Sequence, residues 1–221
     1  MYGSAMLDER GVRPGTMAAG QVHLGGGRED LVVEAVVVTL MTVVSGVEVD
    51  FLRGQLSAGF TLRAGRGRAI PFEQAVPWET PFTQFAGVHL AAVAVRVRTT
   101  VRVGGEWRDV GVDPVTVHPT VAQWRVLDAV RELGWSFEHS EVRQGTVPGV
   151  RQSDPFLQWF DCVAMHASGP LRLTTVANPV GADVLLDAGR DGQHRFAVRH
   201  DDETTDLAAL IEDRLTPTRV R

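Results

Sequence analysis

The residues of this chain best suited to chemistry do not fall at the spacings that chemistry requires. Seven histidines stand at positions 23, 89, 118, 139, 166, 194 and 200. None sits in an HExxH or HxH word, the spacings that bring two imidazoles to one metal ion. His194 and His200 share strand parity and Asp201 and Asp202 follow, so a mixed nitrogen and oxygen metal site can be drawn there; ordinary surface polarity is the stronger reading. Cys162 is the sole cysteine, which excludes an intrachain disulfide and a cysteine-rich zinc site. Its setting, FLQWFDCVAM, reads as a strand in which a small apolar side chain is buried, without a cue for thiol activation. There is no GxSxG elbow, and GRGRAI lacks the Lys-Ser/Thr of a phosphate loop and runs into a strand, so its glycines read as turn residues. The carboxylate pairs Asp201 with Asp202 and Glu138 with Glu141 read as surface groups. No catalytic, metal-binding or cofactor-binding residue is expected, and no cofactor.

One constellation is more suggestive. In VAVRVRTTVRV, residues 93–103, Val93, Val95, Val97, Thr99, Val101 and Val103 take one face, and Ala94, Arg96, Arg98, Thr100 and Arg102 take the other. Arg96, Arg98 and Arg102 would form a basic row able to meet an acidic segment of a protein partner, against the plainer reading of a solvated sheet face.

The elements that must position these residues are mostly strands. LVVEAVVVTLMTVV, residues 31–44, is β-branched and apolar at both parities, as a central strand covered on both sides would be. RPGT at 13–16 predicts a type II turn, and the prolines of AIPFEQAVPWETPFT predict an edge strand followed by a loop. Five further strand-like runs lie between 135 and 200, separated by the turn words VPGV, ASGP, NPVG and RDGQ. Between the two strand series lies an amphipathic helix over 119–134, with Pro119 in its first turn and Gly134 at its C-terminal end. Arg125, Asp128, Arg131 and Glu132 form its polar arc, while Trp124, Val126, Leu127, Val130 and Leu133 call for burial, so Trp124 and Leu127 are expected against strands of the second series. DDETTDLAALIEDRL predicts a short terminal helix. The pattern predicts a mainly β chain of two β-sandwich domains in tandem, 1–117 and 118–221, the helix opening the second.

Composition narrows the partners. The 221 residues carry 22 basic groups, all arginine, and a net charge of −5, which argues against a general nucleic-acid binder. No apolar run reaches the roughly 18 residues needed to span a bilayer, so no integral membrane association is expected. The N-terminal residues have neither a basic start nor an apolar stretch of signal-peptide type, and a cytoplasmic location is expected.

GVRPGTMAAGQVHLGGG, IPFEQAVPWETPFT, the DPVTVHP to VLDAVRELGW segment, PFLQWFDCV and RFAVRHDDETTDLAALIEDRL, in this order and spacing, resemble the bacterial arrestin-like sporulation-control family, the sporulation stage-zero M proteins. The resemblance spans nearly the whole chain. It implies two arrestin-like β-sandwich domains with a helix at the start of the second, and a non-enzymatic regulator or scaffold in sporulation-linked differentiation or cell division, acting through protein partners. Homo-oligomerisation is left open. The competing class is a ligand-binding or hydrolytic β-sandwich whose site is built from loops dispersed in sequence.

Overall fold

The computed structural model describes residues 1–150, 152, 156–165, 169–189 and 192–216. His166 and parts of the ASGP and RDGQ turns lie outside the described residues. The chain is mainly β and divides into two compact units, Met1–Pro77 with Ala94–Val117, and Trp78–Val93 with His118–Arg221. Read from sequence, residues 78–93 belong with the first domain; in the structure they pack in the second unit, for a reason given below.

The first unit holds two antiparallel sheets. One contains β1 (Tyr2–Leu7), β2 (Met17–Gly25) and β5 (Gly67–Ala75) in the order β1-β2-β5. The other contains β3 (Leu31–Val44), β4 (Val47–Leu62), β8 (Val95–Val103) and β9 (Glu106–Val115) in the order β4-β3-β8-β9. Their inner faces meet: Leu7, Ala18 and Phe72 of the first sheet and Val38, Leu40, Val97 and Val115 of the second line one small apolar gap. β3 is the central strand that its valine run predicts, and the Pro71 strand β5 is an edge. The RPGT turn is present, with Gly15 at φ +79° and Thr16 N–H bonded to the Arg13 carbonyl.

β1 closes one side of this sandwich against β9. Asp113 of β9 accepts from the Ser4 hydroxyl at 3.0 Å and from the Ala5 N–H at 2.7 Å. The approach requires glycine: a Cβ on Gly111 would lie 2.0 Å from the Gly3 carbonyl oxygen. The free N–H groups of an edge strand are thereby partly covered.

The second unit is built on one five-stranded antiparallel meander, β10 (Ser136–Gln144), β11 (Phe156–Val163), β12 (Leu171–Ala177), β13 (Gly181–Asp187) and β14 (Gln193–Arg199), in chain order. Pairing aligns Ser140, Phe160, Leu173, Leu186 and His194 across one face, and Val142, Gln158, Thr175, Val184 and Phe196 in the next row. Helix α1 (Val121–Glu132) lies over β12 to β14 and beside α2 (Leu207–Leu215). Its N-terminus is a capping box: Thr120 accepts from Gln123 N–H, and the Gln123 side chain accepts from Thr120 N–H. Pro119 therefore precedes the cap and does not open the helix. Gln123, buried, also donates to Thr175 on β12 at 3.2 Å. Leu127 is fully buried as expected, whereas Trp124 is 39 % exposed. Gln123 and Val126 take the sheet-facing side, and Trp124 stands at the margin with its ring 4.9 Å from that of Phe85.

Segment 78–93 carries the short ladder of β6 (Gln84–Phe85) and β7 (Val88–His89). It covers the β10–β11 end of the same sheet face. Phe82 is fully buried with its ring 5.4 Å from Phe160, and Phe85 and Phe137 extend the cluster. The Gln158 side chain, projecting from β11, accepts from Phe82 N–H at 2.9 Å and donates to the Phe82 carbonyl at 2.8 Å. A side-chain amide here does what a neighbouring strand would do. Both backbone groups of Phe82 would otherwise be buried without these partners, and each such loss costs about 1–3 kcal/mol. Gln158→Met, which keeps the volume and removes the bonds, is expected to lower stability by about 2–5 kcal/mol in urea unfolding monitored by fluorescence.

Candidate interaction surfaces

The arginine row lies where alternation puts it, but its charge is already met. Arg96 of β8 pairs with Glu48 at 2.6 Å, Arg98 pairs with Asp50, and Arg102 pairs with Glu34 at 3.2 Å. Glu48 and Asp50 belong to β4, and β3 lies between β4 and β8. Two of the three ion pairs therefore arch across the central strand. Met41 lies opposite both Arg96 and Asp50, and Thr39 lies opposite Arg98. Both are almost completely buried. The aliphatic stems of the arginines roof β3 while their guanidinium groups reach the carboxylates and water. Nearby, Arg53 stands over the half-exposed Trp107 ring at 5.4 Å, and Thr100 bonds Asp109. This face is laced with matched charge instead of carrying a free basic stripe.

The opposite outer face, on the β1-β2-β5 sheet, has the reverse character. Register puts Tyr2 opposite Gly25, Ser4 opposite His23 and Met6 opposite Gln21; on the other side His23, Gln21, Ala19 and Met17 face Ala69, Pro71, Glu73 and Ala75. Tyr2, Met6 and Met17 are 70 %, 60 % and 57 % exposed. Glu73 is the single carboxylate among these paired residues, and the Asp113 carboxylate meets the edge of the array at Ser4, where it is held by the Ser4 hydroxyl and the Ala5 N–H. Methionine and tyrosine on a charge-poor surface make an adaptable contact face. Gly25 fits beneath the tyrosine, since a Cβ there would lie 2.2 Å from the Tyr2 ring.

Cys162, His200, Asp201, Asp202 and Glu141 each have a local partner in the structure. Burial first, then the neighbouring Asp161 carboxylate, push the Cys162 thiol up to about 12, far from a reactive thiolate. His200 stacks on Trp78 at 5.5 Å, with Nδ1 facing the Ala122 N–H at 3.4 Å and Nε2 facing the Asn178 carbonyl at 3.0 Å. This arrangement ties the strand end to the start of α1 and to segment 78–93. Asp201 forms a fork with Arg199, both bonds at 2.9 Å. Asp202 accepts from the Thr205 and Thr204 hydroxyls and the Thr204 N–H, which hold its carboxyl well below the usual range and fix the turn before α2. Glu141 bonds Arg143 on its own strand. Among the described residues no three histidine, cysteine or acidic side chains converge as a metal site. No helix among them is long and apolar enough to cross a membrane.

The charge-poor face and the roles of Gln158 and Gln123 were not read from the sequence. Alternation in MYGSAML and MAAGQVHLG was the available signal for the face, since it exposes Tyr2, Met6 and Met17 together. The roofing function of the arginines makes a separable prediction. Arg98→Ala is expected to lose about 1 kcal/mol by uncovering β3, and Arg98→Met, which keeps a stem without charge, to recover most of it in thermal or urea unfolding.

Comparison with known proteins places this architecture. The sequence matches the Spo0M family, described as SpoOM protein, over residues 4–192. The crystal structure of Spo0M, a sporulation control protein from Bacillus subtilis, superposes with a TM-score of 0.79 at 20 % identity, covering 97 % of each chain. The Pseudomonas fluorescens alkylpurine DNA glycosylase AlkC overlaps with a TM-score of 0.33 at 20 % identity, over 53 % of this chain and 30 % of that one. Red sea bream transglutaminase overlaps with a TM-score of 0.29 at 11 % identity, over 90 % and 31 %. Overlaps that low do not define a shared fold. No curated protein sequence matches the chain. The fold is that of the Bacillus subtilis protein, and the chain belongs to the Spo0M family of sporulation-control proteins.

Proposed function

We propose that this protein is a non-catalytic cytoplasmic regulator that works in sporulation-linked differentiation or division by binding a protein partner through the outer face of its β1-β2-β5 sheet. The observation that carries the reading is the exposure of Tyr2, Met6 and Met17, spaced along one outer sheet face among small and uncharged neighbours, with Glu73 the single carboxylate among the paired residues of that face. Association there would remove apolar area from water without stripping paired charges of their solvation. The partner face it fits is apolar and itself poor in charge. Arg96, Arg98 and Arg102 could engage an acidic partner only by exchanging the carboxylates they already hold, which favours the other sheet as the contact surface.

Affinity purification from cells of the source organism, with quantitative identification of co-purifying proteins, separates the two faces. The double variant Met6→Glu with Met17→Glu is expected to lose a specific partner by about tenfold or more with its unfolding midpoint unchanged. The triple variant with methionine at positions 96, 98 and 102 is expected to retain it. Retention by the first and loss by the second would overturn the assignment. Loss of self-association alone, followed by sedimentation, would make the occupant a second copy of the chain and refute the separate partner.

A further inference from the structure

A groove of about 550 Å³ in the second unit lies where both helices end. Its walls include Leu133 and Trp135 just after α1, Val163 and Met165 at the end of β11, and Leu215 and Glu212 of α2. Met165 is 94 % exposed, an unusual state for methionine on a folded surface. The two helices run side by side in the same direction. Arg125 of α1 bonds the Thr205 carbonyl just before α2, and both C-terminal ends meet again at the groove.

Two aligned helix C-termini present two partial negative charges to one place, and Glu212 adds a full one. Each helix has an arginine in its last turn that could offset this, but neither lines the groove. Arg131 bonds Asp128 at 2.5 Å, and the Arg214 guanidinium stands over the Phe196 ring at 5.2 Å. The groove is thus apolar in its walls and negative at its helix ends. It calls for an occupant with a long apolar side chain beside a cationic one.

We propose that this groove is a second recognition site, which binds a basic, apolar peptide segment of a protein partner. The segment's apolar side chain lies against Trp135, Val163 and Met165, and its lysine or arginine sits at the helix ends beside Glu212. The proposal rests on reading the chain as a binding protein, but it concerns a different surface, so the two fail separately.

The test uses the full chain and two fluorescein-labelled synthetic peptides with the same Leu-Met-Phe core, one flanked by arginines and one by glutamates, titrated by fluorescence anisotropy. The arginine-flanked peptide is expected to bind about tenfold or more tightly than its glutamate counterpart, with the preference falling as salt rises. Glu212→Arg is expected to abolish that preference and Met165→Gln to weaken both peptides. Glu212 is exposed, and its replacement leaves the core untouched. Circular dichroism confirms that each variant is folded. Equal binding of the two peptides, a preference unaffected by Glu212→Arg, or binding of neither would overturn the proposal; Met6→Glu with Met17→Glu leaves it unaffected if the sites are distinct.

Discussion

The second unit depends on a side chain that behaves as a strand. Gln158 sits on the inner face of β11 among apolar neighbours and presents its amide to both backbone groups of Phe82. That pair of bonds lets a segment that opens just after Pro77 and contains Pro81, poor material for a regular ladder, be buried against a sheet. Phe82 then closes on Phe160, and Phe85 bridges to Phe137 and Trp124 at the margin of α1. The Gln123 side chain repeats the device one layer over, joining the helix cap to Thr175. Two buried glutamines, each satisfied at both ends of its amide, fix where the helix and the inserted segment rest.

The first unit solves a different problem. Its central strand β3 is valine-rich at both parities, yet one side faces outward. Ion pairs that cross β3 from β8 to β4 provide the cover, so the arginines serve packing as much as charge. The consequence for recognition is a division of labour between the two outer faces. The laced face would have to surrender paired charges to a partner. The face bearing Tyr2, Met6 and Met17 surrenders only water.

Much of this was legible in the sequence because it rests on local periodicity and turn chemistry. The alternation at 93–103, the turn at Gly15, the five runs after 135 and both helices follow from residue order alone. What was not legible depends on pairing across the chain. The carboxylates that meet Arg96 and Arg98 lie about 48 positions away. The amide that recruits Phe82 lies 76 positions away. For the same reason residues 78–93 read as part of the first domain, since their contiguity with β5 is visible and their bond to Gln158 is not. Trp124 was read as buried from its apolar character, while the polar Gln123 took the inward position because its amide had partners there. The contact face was hidden differently: Met6 and Met17 are unremarkable singly and become a surface only when β1 pairs with β2.

The central claim is that recognition takes place on the charge-poor sheet face. A photoreactive amino acid placed at position 17 and, separately, at position 98 in cells of the source organism tests it most directly, because those side chains lie on the two opposed outer faces. A discrete crosslinked partner from position 17, absent from position 98, is the result expected. Crosslinking from position 98 with none from position 17 would contradict it.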